Sequence, residues 1–115
     1  MGTTVLDAGA SQPPVYLYAH CLRNRPGGVA LLAINADRNN HHDVSIPVDS
    51  DRYVLTSDNL TTTQTALNGV DLVLDNKGNL PTLTATPTPA GQFTLAPASI
   101  AFFAIAKANN PACRK

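Results

Sequence analysis

Closely spaced prolines and glycines leave this chain little room for long helices. Its 115 residues include nine prolines and seven glycines. Proline removes a backbone donor and breaks the interior of a helix, and glycine favours turns. The segments between these breaks are short and rich in Val, Ile, Leu, Thr, Tyr and Phe, a composition typical of strands. We therefore expect an all-β protein.

These short segments predict nine strands. They are Val5–Leu6, Val15–Cys21, Val29–Asn35, Val44–Val48, Tyr53–Ser57, Thr63–Leu67, Val70–Leu74, Phe93–Leu95 and Ser99–Ala106. Many short strands separated by turns are typical of sandwiches and barrels. A chain of this length can bury the core of one two-layer domain. The sequence thus predicts that residues 1–115 form a single antiparallel β-sandwich of two sheets.

Two of the predicted strands are apolar on both faces. Val29–Asn35 and Ile100–Ala106 lack the alternation of polar and apolar residues that marks a half-exposed strand. A strand omits polar residues without cost only where both of its faces are covered. We therefore expect these two strands at the centre of the packed sheets, with Phe102 in the core and Phe103 packing between the sheets.

Several connections between the strands can also be predicted. Asn68–Gly69 is the strongest turn signal, because both residues adopt a positive φ easily. A second turn is expected at Asn76–Asn79, and the polar segment Asp37–Asp43 is expected at the tip of a hairpin. The segment Thr82–Gly91 is rich in Thr and Pro, which favours an extended, polyproline-like crossover laid over the sandwich.

The two cysteines, Cys21 and Cys113, lie near opposite ends of the chain. An even pair with no CxxC motif and no clustered metal ligands is typical of a structural disulfide made in an oxidising compartment. The alternative is a pair of buried free thiols in a cytosolic protein. A disulfide favours a secreted, periplasmic or extracellular protein, whose export signal would lie outside this sequence.

Charge and composition argue against several classes of function. Eight Lys and Arg residues balance eight acidic residues, so neither a nucleic acid nor an anionic membrane surface is expected as a partner. The longest apolar run, Ile100–Ala106, is too short to span a membrane. All acidic residues are aspartates, so the chain lacks glutamate, the usual carboxylate of glycosidase chemistry. We expect a scaffold that needs no cofactor rather than an enzyme.

A series of segments, taken in order, carries a resemblance to a known family. The segments are Val15-Tyr-Leu-Tyr-Ala-His-Cys21, Ala33-Ile-Asn-Ala36, Tyr53-Val-Leu-Thr56, Leu67-Asn-Gly-Val-Asp-Leu72, Leu80-Pro-Thr-Leu83, Leu95-Ala-Pro-Ala-Ser-Ile-Ala-Phe-Phe-Ala-Ile105 and Ala112-Cys113. Together they resemble the C-terminal β-domain of heparanase-like enzymes of glycoside hydrolase family 79, over nearly the full length of the chain. In that family the two corresponding cysteines form a disulfide.

The resemblance implies a role without catalysis. In this family a (β/α)₈ barrel carries both catalytic glutamates, so no catalytic residue is expected in this chain. The barrel is the implied partner, and the parent enzyme is implied to be an endo- or exo-β-glucuronidase acting on uronic-acid polysaccharides. The family's sandwich also takes one strand from the segment that precedes the barrel. The isolated domain is therefore expected to lack that strand and to expose an unpaired edge, which favours strand-swapped dimers.

Three tyrosines are the candidate contact residues. Tyr16 and Tyr18 share one face of their predicted strand, and Tyr53 opens another strand. Amphipathic tyrosine suits an interface whose edges stay wet, so we expect these side chains to pack against the barrel. They could instead form a platform for a glycan, which would make the chain an independent carbohydrate-binding module, or an adhesion-type interaction domain. An exposed common face would favour glycan binding, and a face buried by a neighbouring domain would favour the scaffold.

The remaining polar motifs are expected to lie in turns. His41–Asp43 does not predict a metal site, because adjacent residues point apart. A cluster of aspartates follows no calcium-loop pattern, and its members are ordinary turn formers; they are Asp37, Asp43, Asp49, Asp51 and Asp58. Asn59–Thr61 fits the N-glycosylation pattern. We therefore predict no metal site.

Overall fold

The computed structural model describes residues 2, 4–6, 13–56, 65–73 and 75–114. The strands are β1 (Val5–Leu6), β2 (Val15–Cys21), β3 (Val29–Asn35), β4 (His42–Ile46), β5 (Ser50–Thr56), β6 (Ala66–Leu67), β7 (Val70–Asp71), β8 (Thr86–Thr88), β9 (Gly91–Leu95) and β10 (Ser99–Ile105). A short 3₁₀-helix at Pro111–Cys113 is the only helix within these ranges. The prediction of an all-β protein is confirmed.

The strands form two antiparallel sheets of unequal size. The large sheet has the order β1-β2-β3-β10-β5-β6-β7, and β8 also pairs with β5. The small sheet consists of β4 and β9. It packs on one face of the large sheet, which we call the inner face. The predicted two-sheet sandwich is therefore present, with β3 and β10 side by side at the centre of the large sheet as expected.

The core lies between the small sheet and the inner face. Its buried side chains are Ala33, Ala101, Phe103 and Ile105 from the large sheet and Val44, Ile46 and Leu95 from the small sheet. Phe93 of β9 meets Phe103 edge-to-face, with ring centroids 5.5 Å apart. The guanidinium of Arg52 lies 4.7 Å from the centroid of the Phe93 ring, where a cation is attracted by the face of the aromatic ring.

A buried asparagine joins the two sheets at one corner. Asn35, at the end of β3, is 1% exposed. Its Nδ2 donates to the carbonyl oxygens of Leu95 at 3.3 Å and Ala96 at 3.0 Å, and its Oδ1 accepts from the backbone N–H of Asp37 at 3.0 Å. These bonds fix the chain where it leaves the large sheet for the small one.

This corner corrects the prediction for Asp37–Asp43. The segment is not a hairpin tip, because β3 pairs with β2 and β10 while β4 pairs with β9. It carries the chain from one sheet to the other. As a result β4 begins at His42, two residues before the predicted start.

The segment Thr82–Gly91 also differs from the prediction. Its central residues form β8, which pairs with β5 through Ser50 and Thr88, and through Arg52 and Thr86. A proline fits a short strand at the edge of a sheet, where its missing N–H is not needed, and Pro87 occupies such a position. Four residues of the predicted strands lie outside the described residues: Ser57, Thr63, Gln64 and Leu74.

Candidate functional site: an uncovered apolar sheet face

The large sheet has a second face, which points away from the small sheet and which we call the outer face. Because neighbouring strands are in register, its side chains form three rows across the sheet. The first row is Tyr16, Ile34, Ile100, Leu55 and Leu67, the second is Tyr18, Leu32, Phe102 and Tyr53, and the third is His20, Ala30, Ala104 and Asp51. The first two rows contain no charged residue and cross at least four neighbouring strands.

Most side chains of the outer face are less buried than those of the inner face, although Ala30 and Leu67 of the outer face are only 5% and 8% exposed. Phe103 is 0% exposed on the inner face of β10, whereas Phe102 and Leu32 on the outer face are only partly buried. Tyr18 is 50% exposed and Ile100 is 37% exposed. Within the described ranges no strand or helix forms a layer over this face. The expectation that β3 and β10 are covered on both faces is thus met on the inner face alone, and Phe102 does not lie in the core.

An apolar concavity of about 380 Å³ lies on the outer face. The sheet contributes Ala30, Ala104, Phe102, Tyr53 and Leu55 to its lining. A wall is added by Leu72, Leu80 and Leu83, from the segment between β7 and β8. From the sequence, Leu72 was expected in a strand, and no contact was predicted for Leu80 or Leu83, although large apolar side chains are unusual in a turn-rich segment.

The three candidate tyrosines lie on the outer face. Tyr16 belongs to the first row, and Tyr18 and Tyr53 stand at the two ends of the second. Their neighbours within the rows, such as Ile34 and Leu32, are aliphatic. The structure therefore brings the tyrosines to one surface, where apolar groups greatly outnumber groups that could hydrogen-bond a sugar.

The two cysteines form a disulfide. The S–S distance is 2.07 Å and the Cα atoms of Cys21 and Cys113 are 5.3 Å apart. Main-chain hydrogen bonds tie the same end of the chain to the loop after β2: Gly27 donates its N–H to the carbonyl of Cys113 at 2.7 Å, and Asn110 donates its N–H to the carbonyl of Gly27 at 2.8 Å. The C-terminal 3₁₀-helix is thereby held against the end of β2.

The most connected carboxylate is Asp37, in the corner between the sheets. Its Oδ2 lies 3.0 Å from Nε2 of His42, and its Oδ1 accepts from the backbone N–H groups of Asn39 and Asn40. These hydrogen bonds, that of His42 above all, hold the pKa of Asp37 well below its ordinary value. The cluster therefore fixes the loop that leads into β4.

The predicted turn His41–Asp43 is only partly a solvated turn. His41 is exposed, as expected, but His42 is partly buried and pairs with Asp37, and Asp43 accepts from Oγ1 of Thr94 at 2.6 Å. No group of three His, Cys, Asp or Glu residues within the described ranges could hold a metal ion. The predicted N-glycosylation site at Asn59–Thr61 lies outside the described ranges, and so does Asp58.

Two further aspartates accept backbone hydrogen bonds. Asp75 accepts from the backbone N–H groups of Asn79 and Lys77, which lower its pKa, and so acts as a turn former. Asp49 lies in the connection between β4 and β5, but it accepts from the distant backbone N–H of Ala90 at 2.8 Å. It therefore ties this connection to the one between β8 and β9 and does not stabilise a turn of its own.

Comparison with known proteins does not assign the chain to a family. No protein-family model matches the chain, and no curated protein matches it either. Among the residues that the structure describes, no helix is long and apolar enough to cross a membrane. The outer face is therefore the feature from which a function must be argued.

Proposed function

We propose that this chain is a non-catalytic β-sandwich domain that packs its outer face on the (β/α)₈ barrel of a heparanase-like family 79 glycoside hydrolase and stabilises that barrel. One observation carries the proposal: β3 and β10 are apolar on both faces, but the small sheet covers only one of them. Large contiguous apolar surfaces of this kind mark interaction sites. The covering layer is then a domain outside the described residues.

The nature of the outer face favours a protein partner. Its first two rows carry aromatic and aliphatic side chains without a charge, and the centres of stable protein interfaces are likewise depleted of charge and enriched in aromatic residues. The barrel is proposed as this partner because of the sequence resemblance. In this role the chain contributes apolar burial and no catalytic group, and the parent would act as a β-glucuronidase.

The small sheet supports the further proposal that a strand of the parent completes the sandwich. In the part of the chain that the structure describes, β4 and β9 pair only with each other. A groove of about 410 Å³ lies along β4 and is lined on its other side by Val15, Leu17 and Leu31 of the inner face. A strand added at β4 would cover these apolar side chains and cap an exposed edge. An isolated domain could fill the same place by exchanging strands with a second copy.

A secreted or extracellular location belongs to the same proposal. The disulfide between Cys21 and Cys113 is compatible with it, because disulfides persist mainly in oxidising compartments.

Binding to a barrel is the direct test. The chain is co-expressed with the barrel of a family 79 β-glucuronidase that has been produced without its own β-domain, and the two are purified through a tag on the barrel. We expect wild type to co-purify and to raise the yield of soluble barrel, and Leu32→Lys to fail in both, because it places a charge at the centre of the outer face. Gln92→Lys, on the exposed surface of β9, is the matched control and should behave as wild type. Failure of wild type to bind, or equal binding by Leu32→Lys, would refute the proposal.

A carbohydrate-binding or adhesion-type module is the second candidate function. It is favoured by the common position of Tyr16, Tyr18 and Tyr53 on a partly exposed face. An amide chemical-shift titration of the oxidised domain with uronic-acid oligosaccharides separates the two candidates. Saturable shifts confined to these tyrosines and their neighbours would establish glycan binding. Unchanged spectra would favour the first candidate, the non-catalytic scaffold.

A further inference from the structure

We infer that Asn68 is a site of spontaneous covalent modification, which the folded β6–β7 hairpin suppresses and which proceeds when that hairpin opens. In the reaction the side-chain amide of Asn68 closes on the main-chain nitrogen of Gly69. Asn68–Gly69 is the only Asn-Gly step in the sequence, and glycine has no side chain to hinder this attack. The inference does not depend on the proposed function, because it concerns the chain by itself.

The reaction requires no reagent other than water. The nitrogen of Gly69 forms a bond to Cγ of Asn68, the bond from Cγ to Nδ2 breaks, and Nδ2 leaves as ammonia with the proton that Gly69 gives up. Water then opens the resulting succinimide ring. Attack of water at Cγ yields aspartate, and attack at the main-chain carbonyl carbon yields isoaspartate, whose main chain is longer by one methylene group.

Three hydrogen bonds fix the reacting amide in the folded chain. Its Oδ1 accepts from the N–H of Val54 at 2.8 Å, and its Nδ2 donates to the carbonyl oxygens of Arg52 at 2.9 Å and of Thr84 at 3.2 Å. Ring closure brings Cγ into a bond with the nitrogen of Gly69, so the amide must first leave these partners. The folded hairpin therefore keeps the reaction slow.

The hairpin that carries Asn68 is small and lies at the end of the large sheet. Each of β6 and β7 contains two residues, and β7 is the last strand in the order of the sheet. Short elements at an edge open locally at a smaller cost in free energy than the core does. We therefore expect the modification to follow local opening of the hairpin, without unfolding of the whole chain.

The product cannot restore the contacts of the amide. A carboxylate has no N–H to donate, and its charge is repelled by the carbonyl oxygens of Arg52 and Thr84. Isoaspartate also lengthens the two-residue turn, which disturbs the pairing of Leu67 with Val70. Either product loosens the hairpin from β5, so a transient opening of this edge of the outer face becomes permanent.

Rates of modification in the folded and the unfolded chain test the inference. Wild type is incubated at neutral pH with and without guanidinium chloride, and peptide mass spectrometry locates the modified residue and separates aspartate from isoaspartate. We expect Asn68 to react at least about tenfold more slowly in the folded chain, because the reaction requires opening of the hairpin. Equal rates in the two states would overturn the inference, and so would the absence of reaction at Asn68 in the denaturant.

Two paired residues provide a matched test of the opening step. Leu67 and Val70 lie opposite each other, but Leu67 is 8% exposed and Val70 is 70% exposed. Leu67→Ala removes a buried side chain of the hairpin, so the folded chain should react about fivefold faster or more, whereas Val70→Ala should react as wild type. Well-dispersed amide spectra check that each variant is folded, and Leu67→Val replaces Leu67→Ala if the latter does not fold. An unchanged rate in the Leu67 variant would show that opening of the hairpin does not control the reaction.

Aged wild type tests the effect of the modification, because modified and unmodified chains are present in one sample and differ in mass. The main-chain amides of Asn68 and Leu72 donate to the carbonyl oxygens of Val54 and Thr65. In hydrogen exchange followed by mass spectrometry, we expect these amides to exchange at least about tenfold faster in the modified chain. Asn76→Asp makes the same change of charge at an exposed turn residue and should exchange as wild type. Equal protection in modified and unmodified chains would refute the loosening of the hairpin.

Discussion

Phe102 and Phe103 are neighbours in β10, yet they lie on opposite faces of the large sheet. Phe103 is 0% exposed and packs edge-to-face on Phe93. Phe102 lies between Leu32 and Tyr53 on the outer face and is only partly buried. The two side chains are chemically identical, so the difference in burial is due to the small sheet, which covers one face and not the other.

Truncation of the two phenylalanines should therefore have unequal effects. Phe103→Ala opens a cavity in the core and should lower the free energy of unfolding by about 3–5 kcal/mol. Phe102→Ala removes a side chain that no second layer covers, and about 2 kcal/mol or less is expected. Urea unfolding followed by circular dichroism measures both. Equal losses would show that the outer face of the isolated chain is packed as tightly as the core.

The disulfide gives a second prediction. Cys21 and Cys113 are 92 residues apart in sequence, and closing a loop of this length should stabilise the chain by roughly 4–5 kcal/mol in the chain-entropy model. Cys113→Ser should lower the thermal midpoint accordingly, as measured by scanning calorimetry. Reduced wild type is the control and should unfold at the temperature of the variant. A midpoint of Cys113→Ser equal to that of oxidised wild type would mean that the disulfide contributes nothing.

Much of the fold follows from local sequence signals. The bounds of β2 and β3 match the prediction. Each strand is a continuous run that begins directly after a turn-forming residue, Pro14 for β2 and Gly28 for β3. Asn68–Gly69 forms the predicted turn between β6 and β7, with φ of 50° and 84°. Signals of this kind depend on a residue's own conformational preferences, so they can be recognised in the sequence without knowledge of the fold.

Other features depend on distant partners and could not be predicted. Asn68 was identified only as a turn residue, but its Oδ1 accepts from the N–H of Val54 at 2.8 Å and its Nδ2 donates to the carbonyl of Arg52 at 2.9 Å. The same limit applies to the outer face. The sequence indicates that β3 and β10 need to be covered on both faces. Which rows of the outer face contain Tyr16 and Phe102, however, is decided by the pairing of the strands. No local signal predicts that Leu83 lies beside this face.

The acid dependence of stability should depend on Asp37. Its pKa is lower in the folded state than in an unfolded chain, so its ionised form favours folding at and above the ordinary aspartate pKa. This contribution is present above about pH 4 and is lost as the pH falls towards the lower, folded-state pKa. Asp37→Asn should therefore be less stable than wild type at pH 5, and the difference should shrink at pH 2 to 3 in urea unfolding experiments.

A direct titration tests the cause of this shift. The hydrogen bond from His42 is the largest contribution to the lowered pKa of Asp37, so His42→Ala should raise that pKa towards its ordinary value. It should not restore the ordinary value fully, because the N–H groups of Asn39 and Asn40 remain. Carboxyl ¹³C shifts followed against pH report the pKa of Asp37 in each variant. An identical titration in wild type and His42→Ala would show that the pair does not set the pKa.

Two buried serines provide a matched pair of variants for the energetics of polar burial. Ser99 is 0% exposed and donates from Oγ to the carbonyl of Ala96 at 2.7 Å. Ser50 is 7% exposed, and its Oγ has no hydrogen-bond partner among the described residues. Ser99→Ala should cost about 1 kcal/mol, the net value of a typical hydrogen bond. Ser50→Ala should leave the free energy of unfolding unchanged or raise it by about 1 kcal/mol, because it removes a buried polar atom that makes no hydrogen bond.

Urea denaturation measures the change in the free energy of unfolding for each variant. The two changes can be compared when the free energy of unfolding falls with urea concentration at the same slope in both variants. Because the same hydroxyl is deleted in each case, the difference between the variants isolates the effect of the hydrogen bond from that of the lost oxygen atom. A loss at Ser50 equal to or larger than the loss at Ser99 would contradict the prediction and would place a hydrogen-bond partner on Ser50 in the native protein.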